Sequence, residues 1–216
     1  MKSLSIILLP IAAITLSSCG TSSTPVVAND VKPLKAVFIN PHKSGSYAHF
    51  KAEKSYPKNT KTWKNVDLLS RTNPSNSTVV INKSTQRAFL MNNGEVAMDY
   101  RISSGTSKHE TPTGSFRITE KIVDKRSNLY GKILDSEGKV VKSNADARKH
   151  QDLLPKGGKF QGASMYKWMR LTGDGIGMHK GRVPLYPASH GCIRTPGSVI
   201  DIVYAKTKVG TSVTIK

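Results

Sequence analysis

The sequence contains little cysteine, with only Cys19 and Cys192 among 216 residues. We expect Cys19 to be consumed by lipid attachment, as argued below, so Cys192 would be a lone thiol without a partner for an internal disulfide. A lone cysteine is often simply a small buried hydrophobic residue. It can also be a nucleophile where neighbouring groups support a thiolate. The residues around Cys192 therefore decide between these two interpretations.

Long apolar runs are also missing, because the run from Leu4 to Leu16 is too short to cross a bilayer as a helix and instead suits a signal-peptide core. Residues 16–19, with the sequence LSSC, resemble a bacterial lipobox. We therefore expect a signal peptide over 1–18 and a membrane anchor through a lipid on Cys19. Gly20 resembles the sorting residue of outer-membrane lipoproteins in diderm bacteria, which would place the protein in the periplasm. The alternative, an ordinary secretory signal, also takes the chain out of the cytoplasm.

Acidic residues are scarce, since 14 Asp and Glu stand against 33 Lys and Arg, a net charge of +19 at pH 7. Such a charge can indicate binding to nucleic-acid phosphates. Export argues against nucleic acid as a partner, and the sequence has no helix-turn-helix, zinc-finger or RNA-binding signature. The lysines are spread along the chain rather than grouped. The charge therefore fits attraction to the anionic cell envelope or a generally soluble surface.

The chemistry-bearing side chains are concentrated between residues 177 and 196, which contain a thiol, two imidazoles and a guanidinium. Gly191 directly precedes Cys192 and lets the backbone approach a substrate closely. His179 and His190 offer bases or cations that would lower the pKa of the thiol. These neighbours favour the nucleophile over the buried hydrophobic residue.

Residues 189–194, with the sequence SHGCIR, and His179 upstream resemble the signature of the L,D-transpeptidase (YkuD) family of peptidoglycan enzymes. The segment from Gly105 to Phe116, which contains TPTGSF, is also similar to the family, so the resemblance covers roughly 77–216. It implies a mainly β, β-sandwich-like catalytic fold with a short C-terminal helix. Twelve residues separate His179 from Cys192, fewer than in many members of the family.

The resemblance also implies catalytic roles. Cys192 would attack a peptide carbonyl, and His179 would take its proton and later protonate the leaving amine. The main-chain carbonyl of Lys180 would orient the imidazole. Backbone N–H groups at Gly191 and Cys192, helped by His190, would hold the oxyanion.

Two further residues of the signature are candidates for substrate binding. Arg194 would bind a substrate carboxylate or brace the loop. Ser189 would contact the substrate or, as we favour, hydrogen-bond within the loop. No cofactor and no metal is implied.

The family's donor substrate is a peptidoglycan tetrapeptide stem, which is cut after its third, diamino-acid residue with release of D-alanine. The acyl group then passes to an amine on a second stem, which cross-links the cell wall. Water as acceptor would make the protein an L,D-carboxypeptidase, and an amine on an envelope protein would make it an anchoring enzyme. The sequence does not separate these acceptors.

Two readings from other functional classes stay open. His179, His190 and Cys192 could bind zinc, although they lack the close ligand pairs of structural zinc sites and an obvious fourth ligand. The chain could also be a non-catalytic lipoprotein that binds peptidoglycan through its basic surface.

The domain organisation follows from composition and periodicity. We predict a tether and basic segment over 19–76 and a catalytic domain over 77–216, with an insertion of about 124–162 that covers the site. His109 is expected to be a surface histidine, and Trp168 to pack in the core. Predicted strands cover 78–82, 87–91, 95–103, 115–122, 163–171 and 211–216, and predicted helices lie near 62–70 and 196–205.

Overall fold

The computed structural model describes residues 38–216, of which 40–216 form one unit. The predicted signal peptide and Cys19 lie outside the described residues, so both stay predictions. None of the helices within 38–216 is long and apolar enough to span a membrane.

The described chain is mainly β, as predicted. Its helices are α1 Tyr47–Lys51, α2 Val66–Arg71 and α3 Gly197–Lys206, with a 3₁₀ turn at Gln151–Leu153. Its strands are β1 Trp63–Lys64, β2 Ser77–Asn82, β3 Arg87–Asn92, β4 Glu95–Arg101, β5 Gly114–Arg117, β6 Glu120–Ile122, β7 Arg126–Leu134, β8 Val140–Asp146, β9 Lys159–Ser164, β10 Trp168–Arg170, β11 Gly177–Lys180, β12 Ile193–Thr195 and β13 Ser212–Ile215.

Two sheets share one apolar core. The first has the strand order β1-β4-β3-β2-β13-β5, and the second has the order β12-β11-β10-β6. Leu90 of the first sheet, Met178 of the second and Val203 of α3 belong to the same buried cluster. Burying such side chains contributes about 2 kcal/mol each. This packing fixes β11 and β12, which carry the candidate catalytic residues.

The insertion of about 124–162 is more regular than the loop predicted from its polar composition. It contributes most of a third sheet, with the order β8-β7-β9. A turn connects β7 to β8, since Asp135 N–H donates to Lys139 O at 3.0 Å. Cross-strand pairing, which local composition does not encode, organises this segment.

Three predicted elements have different bounds in the structure. The strand predicted over 115–122 is two strands in different sheets, because Ile118 N–H bonds Thr211 O whereas Thr119 N–H bonds Arg170 O. The strand predicted over 163–171 is interrupted at Lys167, which has a φ of 58°. The helix predicted near 62–70 begins at Val66, because residues 63–64 pair with β4 instead.

The segment before β2 packs on the first sheet, a point that the sequence leaves open. Tyr47 and Tyr56 donate their hydroxyls to Asp99 of β4 at 3.0 and 3.1 Å. Asp99 also forms an ion pair with Arg87, and both side chains are fully buried. A buried pair of this kind is costly to break from one side, by about 3–5 kcal/mol. Residues 47–56 are therefore part of the folded unit.

Candidate active site

The parallel pairing of β11 and β12 brings the predicted nucleophile and base together. His179 lies opposite Arg194, and Met178 lies opposite Ile193. Cys192 directly precedes Ile193, and Gly177 directly precedes Met178, so Cys192 lies beside Gly177. Gly177 is two residues before His179 on β11. Because side chains alternate along a strand, the thiol and the imidazole project from the same face.

Both side chains line a cavity of about 730 Å³. One wall comes from the loop that carries Ser189–Cys192, and another comes from β7, β9 and Arg148, which follows β8. This size suits a peptide-sized ligand. The insertion thus contributes directly to the space around Cys192.

Cys192 is half-buried, and its Sγ lies 3.8 Å from Gly175 O, to which the thiol donates. Burial raises the pKa of the thiol, although Gly177 N–H and the charge of Arg194 oppose the rise. The pKa of this thiol thus lies above its ordinary value, contrary to the lowered pKa expected from the neighbouring histidines. Removal from water is a stronger influence here than those rings.

His179 is almost fully buried, with 7% of its surface exposed, and its Nδ1 lies 2.7 Å from Lys180 O. A carbonyl only accepts, so Nδ1 carries the proton and Nε2 has a free lone pair. The carbonyl orients the ring, as the sequence predicts. Burial lowers the pKa of His179 to about 4, assisted by Arg194 and opposed by the Lys180 carbonyl.

The pairing of β11, which carries His179, with β10 depends on a glycine at position 177. A Cβ at this position would lie 2.6 Å from the Trp168 ring and 2.4 Å from Met169 O. Trp168 is buried, as predicted, and its Nε1 donates to Glu120 at 2.9 Å. Because Gly177 has no side chain, β11 can pair closely with β10 at this position.

The loop before Cys192 is held by hydroxyl groups. Ser189 Oγ donates to Cys192 O and accepts from Gly191 N–H at 3.1 Å, which places Ser189 in the loop-bonding role. Gly191 N–H must therefore exchange this bond before it can bind an oxyanion. Gly191 has a φ of 106°, a conformation that favours glycine.

Thr111 fixes the same loop from the other side. Its buried Oγ1 donates to Gly191 O at 2.6 Å and accepts from Gly105 N–H at 2.9 Å. A Cβ at Gly105 would lie 2.9 Å from the Gly191 Cα, so the two glycines are in close contact. The TPTG segment therefore supports the loop that positions Cys192.

His190 lies in a stack of rings at the mouth of the cavity. Its ring centroid is 4.3 Å from that of Tyr130 and 4.6 Å from that of His109. Contact with these groups shields His190 from water and lowers its pKa, and the charges of His109 and Arg194 lower it further. Arg148 braces the stack by donating to the Tyr130 hydroxyl at 3.1 Å. His190 is thus held by the insertion.

Arg194 braces the loop, one of the two roles expected for it, while its binding of a substrate carboxylate stays a prediction. Its main chain braces the loop through bonds of 2.9 and 3.0 Å to Ser103. Its side chain lines the cavity, and its aliphatic carbons cover Gly181, where a Cβ would be 2.9 Å away. A guanidinium that lines the cavity can bind an anionic ligand.

A sequence model of the L,D-transpeptidase catalytic domain, YkuD, matches residues 76–215. The chain belongs to this family. A search of curated proteins finds no match. The match over residues 76–215 confirms the resemblance of this chain to the L,D-transpeptidase family.

Solved L,D-transpeptidase structures resemble the chain at low identity. The enzymes from Mycobacterium smegmatis and Xylanimonas cellulosilytica are both 19% identical, with TM-scores of 0.47 and 0.48, and the alignments cover 65% and 68% of this chain. The Enterococcus faecium enzyme is 23% identical over 66% of this chain, with a TM-score of 0.46. The chain spans 58%, 62% and 50% of these three structures, respectively.

Sequence reasoning missed several residues of this YkuD site. His109 is exposed, as expected of a surface histidine, but it also lines the cavity and contacts His190. Tyr130 and Arg148 carry no signal in the linear sequence, because only the pairing of β7 with β8 brings them to the site. The predicted position of the insertion over the site was the one indication of their role.

The zinc-binding alternative has no ligand set in the described chain. Among residues 38–216, no three His, Cys, Asp or Glu side chains are grouped as metal ligands.

The neutral thiol makes a prediction about alkylation by iodoacetamide. Only the thiolate reacts, so the rate at Cys192 should rise with pH through a midpoint above the ordinary value of about 8.5. The rate is measured on the Cys192 peptide by mass spectrometry across pH, which keeps Cys19 out of the result. Full reactivity near pH 6 would instead show a thiolate–imidazolium pair.

The Thr111 bonds make a second prediction. Thr111→Val removes a buried hydroxyl that bonds two backbone groups, so we expect a loss of about 1–3 kcal/mol in unfolding free energy. Because the Gly191 loop loses its support, kcat should also fall by about tenfold. Thr111→Ser keeps both bonds and is the matched control. Equal behaviour of the two variants in denaturant melts and turnover would contradict this role.

Proposed function

We propose that the chain is a peptidoglycan L,D-transpeptidase that uses Cys192 as nucleophile and His179 as base. Family membership supports the reaction class, and the observation that carries the residue roles is the parallel pairing of β11 and β12. It brings a thiol and an imidazole with a free Nε2 to one cavity. Nucleophilic catalysis requires this arrangement of groups.

Acylation begins from two neutral groups. The Cys192 thiol turns from Gly175 O towards His179, and Nε2 takes its proton as sulfur attacks the peptide carbonyl. The imidazolium then protonates the leaving amine, D-alanine, and the C–N bond breaks. A pKa of about 4 makes the imidazolium a strong acid, which favours this second transfer.

The oxyanion of the tetrahedral intermediate needs donors beside Cys192. We assign Cys192 N–H as the principal donor, with His190 assisting from the stacked wall. Gly191 N–H joins only by exchanging its bond to Ser189 Oγ. One donor of this kind is worth about 3 kcal/mol.

The charge of the cavity supports a peptidoglycan stem as donor substrate. Such a stem carries free carboxylates, and Lys and Arg side chains outnumber Asp and Glu in the lining of the cavity. Arg194 is the candidate for the carboxylate nearest the scissile bond. Bidentate pairing would orient that substrate group.

The cellular location is also a proposal. A lipid on Cys19 would hold the chain at a membrane of the cell envelope, and the residues between Cys19 and the folded unit would act as a tether. An outer-membrane anchor would place the cavity in the periplasm with its substrate. Labelling cells with a fatty-acid analogue, with Cys19→Ala as control, tests this step.

The test of the reaction is product analysis with a disaccharide-tetrapeptide. Release of D-alanine together with a cross-linked dimer supports transpeptidation. D-Alanine without dimer would show carboxypeptidase activity or a different acceptor. Glycan binding by folded protein without turnover would contradict the proposal and support the binding lipoprotein.

A further inference from the structure

The cavity has an unequal distribution of charge. Only two carboxylates line it, Glu110 and Asp174. The lining cations are Lys125, Arg148, Arg170, Lys180, Arg182 and Arg194. Arg148 and Arg170 form ion pairs with Asp146 and Glu120, but none of the ion pairs within residues 38–216 includes Asp174. Asp174 is thus an uncommitted negative charge in a basic cavity.

Asp174 is held in a defined turn next to the nucleophile. Thr172 Oγ1 donates to the Asp174 carboxylate and accepts from Ile176 N–H at 2.9 Å. Gly175, the next residue, provides the carbonyl that accepts the Cys192 thiol. The carboxylate is exposed to solvent and is therefore open to a solute.

Asp174 lies close to the thiol, because both side chains line the cavity and the Cys192 thiol bonds the carbonyl of Gly175, the residue after Asp174. Its negative charge contributes to the raised pKa of Cys192. Glu110 makes no such contribution, and no hydrogen bond within the described residues fixes its carboxylate. Of the two acids in the wall, Asp174 is the one placed to act on a group that approaches the sulfur.

We propose that Asp174 binds the protonated amine of the acyl acceptor beside Cys192. The inference rests on the proposed function, in which the acceptor amine is a cationic reactant that must reach the thioester. A fixed carboxylate would attract the ammonium group into a cavity whose other charges repel it. The class of acceptor is accordingly a primary amine that is charged at neutral pH.

The bound ammonium gives one proton to solvent, and the neutral amine attacks the thioester carbonyl. A C–N bond forms and the C–S bond breaks, with its electron pair going to sulfur. The proton lost by the nitrogen passes through His179 Nε2 to sulfur, which restores the thiol.

The test separates charged from uncharged acceptors. Acyl-enzyme is formed on the full-length protein, and its aminolysis is followed with meso-diaminopimelate, whose amines are protonated, and with hydroxylamine, which is uncharged at neutral pH. We expect D174N to raise the apparent KM for the cationic acceptor about tenfold, since a charge-assisted bond is lost. The hydroxylamine reaction should keep its wild-type rate. E110Q, which neutralises the other carboxylate, should resemble the wild type with both acceptors.

The outcomes are distinguishable. Wild-type kinetics of D174N with the cationic acceptor would overturn the role of Asp174, and so would an equal loss with both acceptors, which indicates a merely structural effect on the turn. If wild-type protein forms no acyl-enzyme, the proposed function itself fails, and this inference fails with it.

Discussion

Cys192→Ala should abolish acyl transfer while leaving the fold intact. No other cysteine lies within residues 38–216, and the thiol donates one weak bond, to Gly175 O. Its removal should change the unfolding free energy by about 1 kcal/mol or less. Turnover of a tetrapeptide stem, measured as D-alanine release, should fall to the uncatalysed level.

Cys192→Ser is the sharper variant, because it keeps the shape and the hydrogen bond of the side chain. A serine hydroxyl is much less acidic than a thiol, and a base of low pKa activates it poorly. We therefore expect nearly complete loss here too. Retained turnover in either variant would sink the assignment of Cys192, provided that the melting curves match the wild type.

His179→Ala should lower kcat by about a thousandfold, the usual contribution of a general base. The ring is buried and held by Lys180 O, so no other side chain can take its place without rearrangement. His42→Ala is the matched control, since that histidine is exposed and does not line the cavity. Turnover with stem peptide measures both variants.

The pH dependence tests the same role with the wild-type protein. His179 acts as a base only when neutral, and its pKa is about 4. Turnover should therefore stay level as the pH is lowered from neutral and fall only as the pH passes through about 4. A fall near the ordinary histidine value of about 6.5 would instead contradict the role of His179 as a buried, neutral base.

Local sequence patterns predicted individual strands and the residues at the centre of the candidate site. The strands predicted over 87–91 and 95–103 are present as β3 and β4, which pair antiparallel. The SHGCIR signature and His179 identified the centre of the cavity, because the type and order of these residues are specific. The bond from Thr111 Oγ1 to Gly191 O shows how the TPTG segment supports the loop that carries that signature.

The remaining features depend on contacts between distant residues. The chain changes sheets at Ile118 because Thr211 and Arg170 offer separate hydrogen-bond partners, and neither is near in sequence. The raised pKa of Cys192 follows from burial, which composition does not reveal. Tyr130 reaches His190 only through the pairing of β7 with its neighbours.

The most direct measurement is intact mass analysis of the wild-type chain during reaction with disaccharide-tetrapeptide, followed by peptide mapping. We predict a covalent adduct of the donor without its terminal D-alanine, located on the Cys192 peptide and missing in Cys192→Ala. Folded wild-type protein that never forms this adduct, or that carries it on another residue, would contradict catalysis by Cys192 and His179.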